Sequence, residues 1–524
     1  MGITLNQQGS YLKSCRQLLS ELSWGSGVEN YVLNKIPFSY VNGLDMADRF
    51  VKTYVAHVQQ TFRNAWPNER FLVTLVGGGN GLLAKAFVQG LKQQDPLLLA
   101  QTDILVLEPR RALVDACKTV LRDYPQVRVQ QFVFDSPLEK PTLVIFNGSI
   151  SSWPASLFEV QDGVLSELHV RTELDEDAMA TELEGGFPKS LDAFEIAERL
   201  SHFDRIQSRS FIDEVMPYLT DHFYAVPATL LIPPELKQWL VNRDEPIRFS
   251  LSKIALNVLD QFFALDTSLI LIQDFGFVLE SANQSFRAST QLGSTIFFPI
   301  WFPLYKHWGQ SRGYQSWATH NSAGSAQVLA LTPASVPQMT PVFEQAFSEL
   351  GIRPLVTALA RLSAKASKKD YLAQLEIEFS KLPSLLAKDY AFHVSVACDL
   401  IAKQGYDEAL SLLEPFIRDH EPFAISALFL MGYCHEQNKQ LENAEWFYKQ
   451  CSGAAPDFFP ALDALLRVLW EKEDHAACVP LIKKMMGFSA ANLRSLLGKL
   501  GVCYLKLNQA QKAEDVLAWM AKGR

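Results

Sequence analysis

"VTLVGGGNGLLAKAF", Val73 to Phe87, reads as a buried strand, a glycine turn and a helix. Phe71 to Val76 is an apolar run with β character, and a helical pattern follows from Leu82 to Leu91. Glycines in such a turn let the backbone approach a small ligand, because no Cβ stands in the way. Working outward, "DILVLEP", "VRVQQFVF" and "PTLVIFN" are three more strand-like runs, with a helix expected from Arg111 to Asp123. Strands alternating with helices predict a parallel sheet covered on both faces. Ligands of such sheets bind beyond the carboxyl ends of the strands. Three loops fall there: Gly77 to Gly81, Glu108 and Asn147.

The glycine turn has three readings. It is not a phosphate-binding P-loop, because no Gly-Lys-Ser/Thr follows. Gly79, Gly81 and Ala84 fit G-x-G-x-x-A, the pattern of a dinucleotide site, and Glu108 ends the next strand, where a carboxylate can accept both hydroxyls of a ribose. That chemistry serves NAD and S-adenosylmethionine alike. The spacer "LKQQDPLLLAQTD" is longer than dinucleotide sites use, which counts against NAD. The plainest reading is a turn that serves only tight strand–helix packing.

A chain of 524 residues predicts two or three domains. A net charge of −9 gives no support to nucleic-acid binding as a general activity. The seven cysteines form no CxxC pair and are odd in number, so neither a disulfide framework nor a zinc site is expected. The most apolar stretch, "IFFPIWFPLY", is half the length of a membrane helix and carries two prolines. The first residues show neither a signal-peptide nor a transit-peptide pattern, so a cytoplasmic protein without membrane insertion is the expectation.

The C-terminal third repeats. Gly432 and Ala444 are twelve residues apart, and Ala397 with Ala409 and Gly501 with Ala513 keep that offset. Pro422 precedes Pro456 by 34 residues, and Ala477 and Leu481 fall in step more loosely. Small residues at these places let paired helices approach. From about Ala391 to Arg524 the chain resembles the tetratricopeptide repeat, which implies a helical array with a concave face that binds a protein or peptide. Packing on its own N-terminal domain, or homodimerisation, is the alternative use of such an array.

In the N-terminal part, "VTLVGGGNGLLAKAF", "ILVLEPRRALVDA", "TLVIFNGSISSWPASLFEVQDGVLSELHV", "LILIQDFGF" and "LGST" follow in that order. Together, over about Phe38 to Phe347, they resemble the MidA-like methyltransferases, the family that includes the mitochondrial complex I assembly arginine methyltransferase. The resemblance implies an α/β class I methyltransferase (Rossmann-like) domain with a helical insertion, placed at about 175–248. It also implies S-adenosyl-L-methionine as cofactor. Gly77, Gly79 and Gly81 would supply backbone contacts, Glu108 would hold the ribose, Asn147 would lie near the methionine end and Asp135 beside the adenine. The "DFG" at Asp274 to Gly276 then corresponds to the family's Asp-Tyr-Gly strand end and not to a kinase motif.

The chain departs from that pattern at polar positions. Leu75 stands where the family places a carboxylate, Gly148 replaces a Glu and Ser151 replaces an Asp. A guanidinium substrate needs a carboxylate to hold and orient it, so no catalytic residue is assigned. Glu159, Glu167 and Asp135 are the candidates to compensate, and His320 stands near the place of a later family motif that is otherwise missing. The expected organisation is a methyltransferase-like domain over 1–347, a helical linker over 348–388 and tetratricopeptide-like repeats over 389–524. Two functions stay open: a methyltransferase whose repeats recruit a protein substrate, or a degenerate methyltransferase-like domain in an interaction scaffold.

Overall fold

Seven strands form the doubly wound half of the molecule: β1 (Phe71–Val76), β2 (Thr102–Glu108), β3 (Val127–Gln131), β4 (Leu143–Asn147), β5 (Leu269–Phe277), β6 (Tyr314–Ala318) and β7 (Ala326–Pro333). The computed structural model describes residues 2–4, 8–14, 17–18, 21, 44–62, 69–134, 136–175, 219–228, 232–243, 245–278, 290–292, 295–319, 326–336, 339–347, 367–381, 390–419, 424–454, 458–486 and 493–522.

The strand order is β3-β2-β1-β4-β5-β7-β6. The first five strands are parallel, and β7 runs antiparallel to both of its neighbours. This is an α/β sheet of the class I methyltransferase, Rossmann-like type. The order reverses between β1 and β4, which makes their carboxyl ends the switch point where such sheets bind ligands.

Alternation along the strands divides the core into two layers. Val73, Leu75, Ile104, Val106 and Ile145 face a cluster that includes Phe50 and Tyr54 of α1 (Leu44–Thr61) and Leu83 and Phe87 of α2 (Leu82–Gln94). Val76, Leu105, Leu107, Val144 and Phe146 face the other way, toward a cluster with Leu259 and Phe262 from the helix Lys253–Ala264. Both faces are buried, as a parallel sheet requires. The helix Arg111–Leu121, α3, follows β2 and buries Leu113, Val114 and Cys117.

A second, antiparallel half is built from Ser156–Gln161, Val164–Asp175, Leu219–Pro227 and Ile247–Leu251. It joins the first through the short strand Ile300–Trp301, which runs parallel to both Ile247–Leu251 and the end of β5. Of the stretch expected as a helical insertion, 176–218 lies outside the described residues. Leu219–Pro227 is a strand of the sheet and Pro234–Val241 is a helix.

The repeats form eight helices among the described residues, from Tyr390–Ala402 through Ala510–Lys522. Gly432 is packed where expected, but its neighbour is an aromatic ring: a Cβ there would stand 2.6 Å from Tyr448 Cε1. Ala397, Ala409, Ala444 and Ala513 are buried, while Pro422 and Pro456 lie outside the described residues. Buried Glu436 ties three successive helices together, accepting from Tyr448 Oη at 2.8 Å and from Arg467 Nε at 2.6 Å. Of the expected linker, Lys368–Lys381 is a helix, and its Tyr371 and Leu375 share an apolar cluster with the repeats and with Leu82 of α2. Ala116 and Val120 of α3 pack against the same cluster. The array is therefore seated against the two helices that carry the glycine turn and the residues after Glu108. Among the described residues no helix is long and apolar enough to cross a membrane.

Candidate functional site

The glycine turn is left-handed at three places: Gly77 at φ +83°, Gly79 at +56° and Gly81 at +83°. L-residues with a Cβ rarely adopt that region, so the sequence needs glycine here for backbone reasons alone. Space is the second reason. A Cβ on Gly77 would meet Ser149 Cβ at 2.6 Å and Asn147 O at 3.4 Å. One on Gly78 would fall on Val106 Cγ1, and one on Gly81 would lie 3.1 Å from Cys117 Cα. The turn thus runs close across the ends of β2 and β4, and α2 starts directly from it. Asn80 closes the helix start, its Oδ1 accepting from Leu82 N at 3.1 Å.

Glu108 sits beneath the turn, 1% exposed. One carboxylate oxygen accepts from Gly79 N at 2.9 Å, the other from Arg110 N at 3.0 Å. Burial pushes its carboxyl above the usual range, opposed by the nearby Arg110 charge and by these two amides. Cys117 of α3 donates to Gly79 O at 3.1 Å, and its thiol is pushed up by burial and by the neighbouring Glu108. Arg110 reaches over this arrangement. Its Nη1 lies 3.7 Å from Glu108, and its Nη2 donates to Ser152 O at 3.2 Å, beyond the end of β4.

On the other side of the switch point, Asn147 ends β4 and is buried. Gly148 follows at φ +59° and donates its N–H to Gln273 O at 2.8 Å. Ser149, Ser151 and Ser152 make the next turn, all buried. Asp274, fully buried near the end of β5, accepts from Ser151 N at 3.0 Å and from Phe275 N at 2.8 Å.

Five of the expected residues, Gly77, Gly79, Gly81, Glu108 and Asn147, therefore meet at the strand ends. Asp135 and His320 lie outside the described residues. Glu159 and Glu167 are engaged within the antiparallel half, Glu159 with Arg248 Nε at 2.6 Å and Glu167 with Ser10 Oγ at 3.0 Å. The three departures also acquire physical reasons. Leu75 faces the helix layer, where a carboxylate would be stranded among apolar side chains. Gly148 needs its positive φ. Ser151 touches Asp274 through its amide, so a second carboxylate there would set two like charges side by side in a buried place.

The sequence gives Asp274 a place at a strand end but no role in the site, and it does not single out Arg110, Asn80 or Ser149. Asp274 carries the signal that revealed Glu108, a carboxylate closing the buried run "LILIQD". Burial raises its pKa from 3.8 to about 6. Between those values the native state keeps a proton that the unfolded chain has lost, so stability falls as pH rises through the window. The shift corresponds to about 3 kcal/mol. Asp274→Asn should flatten this slope, read from urea midpoints of both proteins between pH 4 and 7.5; equal slopes would contradict the assignment.

The site also holds polar groups that the described residues leave unanswered. Asn80 Nδ2 and Ser149 Oγ are buried and find no hydrogen-bond partner among the described residues. Unmet donors in a buried place cost about 1–3 kcal/mol each, which a polar ligand would recover.

No family model matches the chain, and no curated protein matches it. Among solved structures it is similar to an uncharacterised superfamily protein from Burkholderia thailandensis, with 12% identity, a TM-score of 0.39, and coverage of 62% of this chain and 87% of that one. A second member of that superfamily from the same organism, bound to S-adenosyl-homocysteine, gives 12% identity, a TM-score of 0.38, and coverage of 63% and 95%. The repeats are similar to the nearly identical TPR-like repeats of a Podosopora anserina kinesin light chain, with 15% identity, a TM-score of 0.27, and coverage of 33% and 94%. The strand order of the chain itself, and not these similarities, carries the fold assignment.

Proposed function

We propose that the N-terminal domain binds S-adenosylmethionine at the β1–β4 switch point and that the chain is a methyltransferase of the MidA-like type, with the repeats presenting a protein substrate. The observation that carries this reading is the meeting of the left-handed glycine turn, Glu108 and the unmet Asn80 Nδ2 and Ser149 Oγ at one set of strand ends. In this reading the free lone pairs of Glu108 accept the ribose hydroxyls, since a carboxylate has about four acceptor positions and two are taken by amides. Asn80 and Ser149 donate to the amino-acid end, and Asn147 lines it. When bound, the cofactor supplies an electrophilic methyl group on a sulfonium. The protein's part is then positioning and exclusion of water, with no side chain assigned to take a proton. The seating of the repeats against α2 and α3 supports the presentation of a substrate near this site.

A second reading has its own support. Both oxygens of Glu108 are already bonded to backbone amides and the residue is buried, as in a turn kept only for packing. The domain would then be a fold without catalysis in a protein-interaction scaffold. Incubating the full chain with methyl-labelled S-adenosylmethionine and cell extract separates the two. The first reading predicts label on a discrete protein; cofactor binding with no label on any protein supports the second.

A further inference from the structure

Arg110 occupies an unusual place for a long, charged side chain. Its backbone begins α3 at φ −93° and ψ 118°, and its amide is bonded to Glu108. From there the guanidinium passes over the carboxylate and reaches Ser152 O, which belongs to the turn after β4. Because β1 lies between β2 and β4, this arm crosses the switch point from one side to the other. The far anchor is held in place: Ser152 N and Oγ both donate to Ser149 O, at 3.2 and 2.8 Å. Glu108 below is 1% exposed on its side chain, whereas Arg110 above is 22% exposed. Two of the arm's contacts span the gap, a hydrogen bond of 3.2 Å to the Ser152 carbonyl and a charge contact of 3.7 Å to the Glu108 carboxylate.

We propose that the Arg110 side chain is a latch across the ribose end of the site, shut in this structure, which must swing out before a ribose diol can reach Glu108. The inference rests on the cofactor reading above and deepens it. A shut latch lowers the apparent affinity by the fraction of molecules that are open. If the open form is about a tenth of the population, removing the arm tightens binding about tenfold. The effect belongs to ligands with a free 2′,3′-diol, because only these must displace the arm.

The test is calorimetric titration of the full chain, wild type and Arg110→Ala, with S-adenosyl-homocysteine. The expected result is about tenfold tighter binding by Arg110→Ala. In stopped-flow traces the wild-type association rate should level off with ligand concentration, and the variant rate should rise linearly. Equal or weaker binding by Arg110→Ala would overturn the latch, since the guanidinium would then be a strut or a ligand contact. Absence of binding by two folded proteins would instead overturn the cofactor reading, and the latch with it. Should Arg110→Ala not fold, Arg110→Gln keeps a polar side chain that is too short to span to Ser152 O; it should bind several-fold tighter than wild type, and no gain would again overturn the proposal.

Discussion

Replacing Gly276 with alanine is expected to cost at least about 4 kcal/mol, enough to leave the N-terminal domain unfolded or insoluble. Gly276 needs no special backbone angle. What it needs is room, because a Cβ at this position would fall on the Ile300 carbonyl oxygen, with the Ile300 carbonyl carbon 2.8 Å away. That obstacle is backbone and cannot rotate aside. Gly276 and Ile300 are paired in parallel register, and the same short strand Ile300–Trp301 pairs Ser250 on its other side. The close approach is therefore the seam between the doubly wound half and the antiparallel half. Forcing it open also disturbs Asp274, two residues earlier, and with it the Ser151 turn. Soluble yield and urea midpoint measure the effect. An alanine variant with the wild-type midpoint would show that the seam is looser than described.

The second large effect is expected from Leu75→Glu, the substitution that restores the carboxylate of the resembled family. Leu75 is 2% exposed and faces Leu83, Phe87 and Val106 in the layer between the sheet and its helices. The side chains of that cluster are apolar, so the new charge would be buried among groups that cannot compensate it. Such changes cost about 3–5 kcal/mol. The introduced carboxyl would respond by raising its pKa. A raised carboxyl pKa in the folded state means that stability falls as pH rises, so the deficit should be larger at pH 8 than at pH 5. Neither cofactor affinity nor methyl transfer should improve. Urea unfolding at the two pH values measures the first part. A well-folded variant that gains methyl transfer would place Leu75 in the crevice, against the cluster in which it is found.

These two residues also show what the sequence could and could not say. The strand ends were legible because their signal is local. An apolar run closed by glycine, Glu or Asn marks where a buried strand reaches the surface, and Gly77, Glu108 and Asn147 do meet there. The repeats were legible because small residues recur at a fixed offset, and Gly432 and the buried alanines occupy the helix contacts. Leu75 was read as a lost polar group, but alternation along β1 gives it the same face as Val73, toward the helices. In the antiparallel half only the hairpin turned by Asp162 and Gly163 carries a local signal, and the rest does not. Its strands pair across long stretches of chain, such as Phe158 with Phe249, and "LTDHFYAVP" alternates too weakly to announce a strand by itself. Arg110 was beyond reach for a different reason, since its contact with Ser152 depends on how two turns face each other. Asp274 is legible as the end of a buried strand, but nothing local in "LILIQDFGF" shows that it accepts from the Ser151 amide of another turn.

The central claim is that Glu108 and the glycine turn hold a ribose-bearing cofactor. Its most direct test is calorimetric titration of the full chain with S-adenosylmethionine, repeated with Glu108→Gln. Loss of one hydrogen bond to a charged acceptor, about 1.5–3 kcal/mol, predicts saturable binding in the wild type that is weakened at least tenfold, or about 1.4 kcal/mol, in the variant. No heat of binding at millimolar cofactor, or equal affinity in a folded Glu108→Gln protein, would contradict the account.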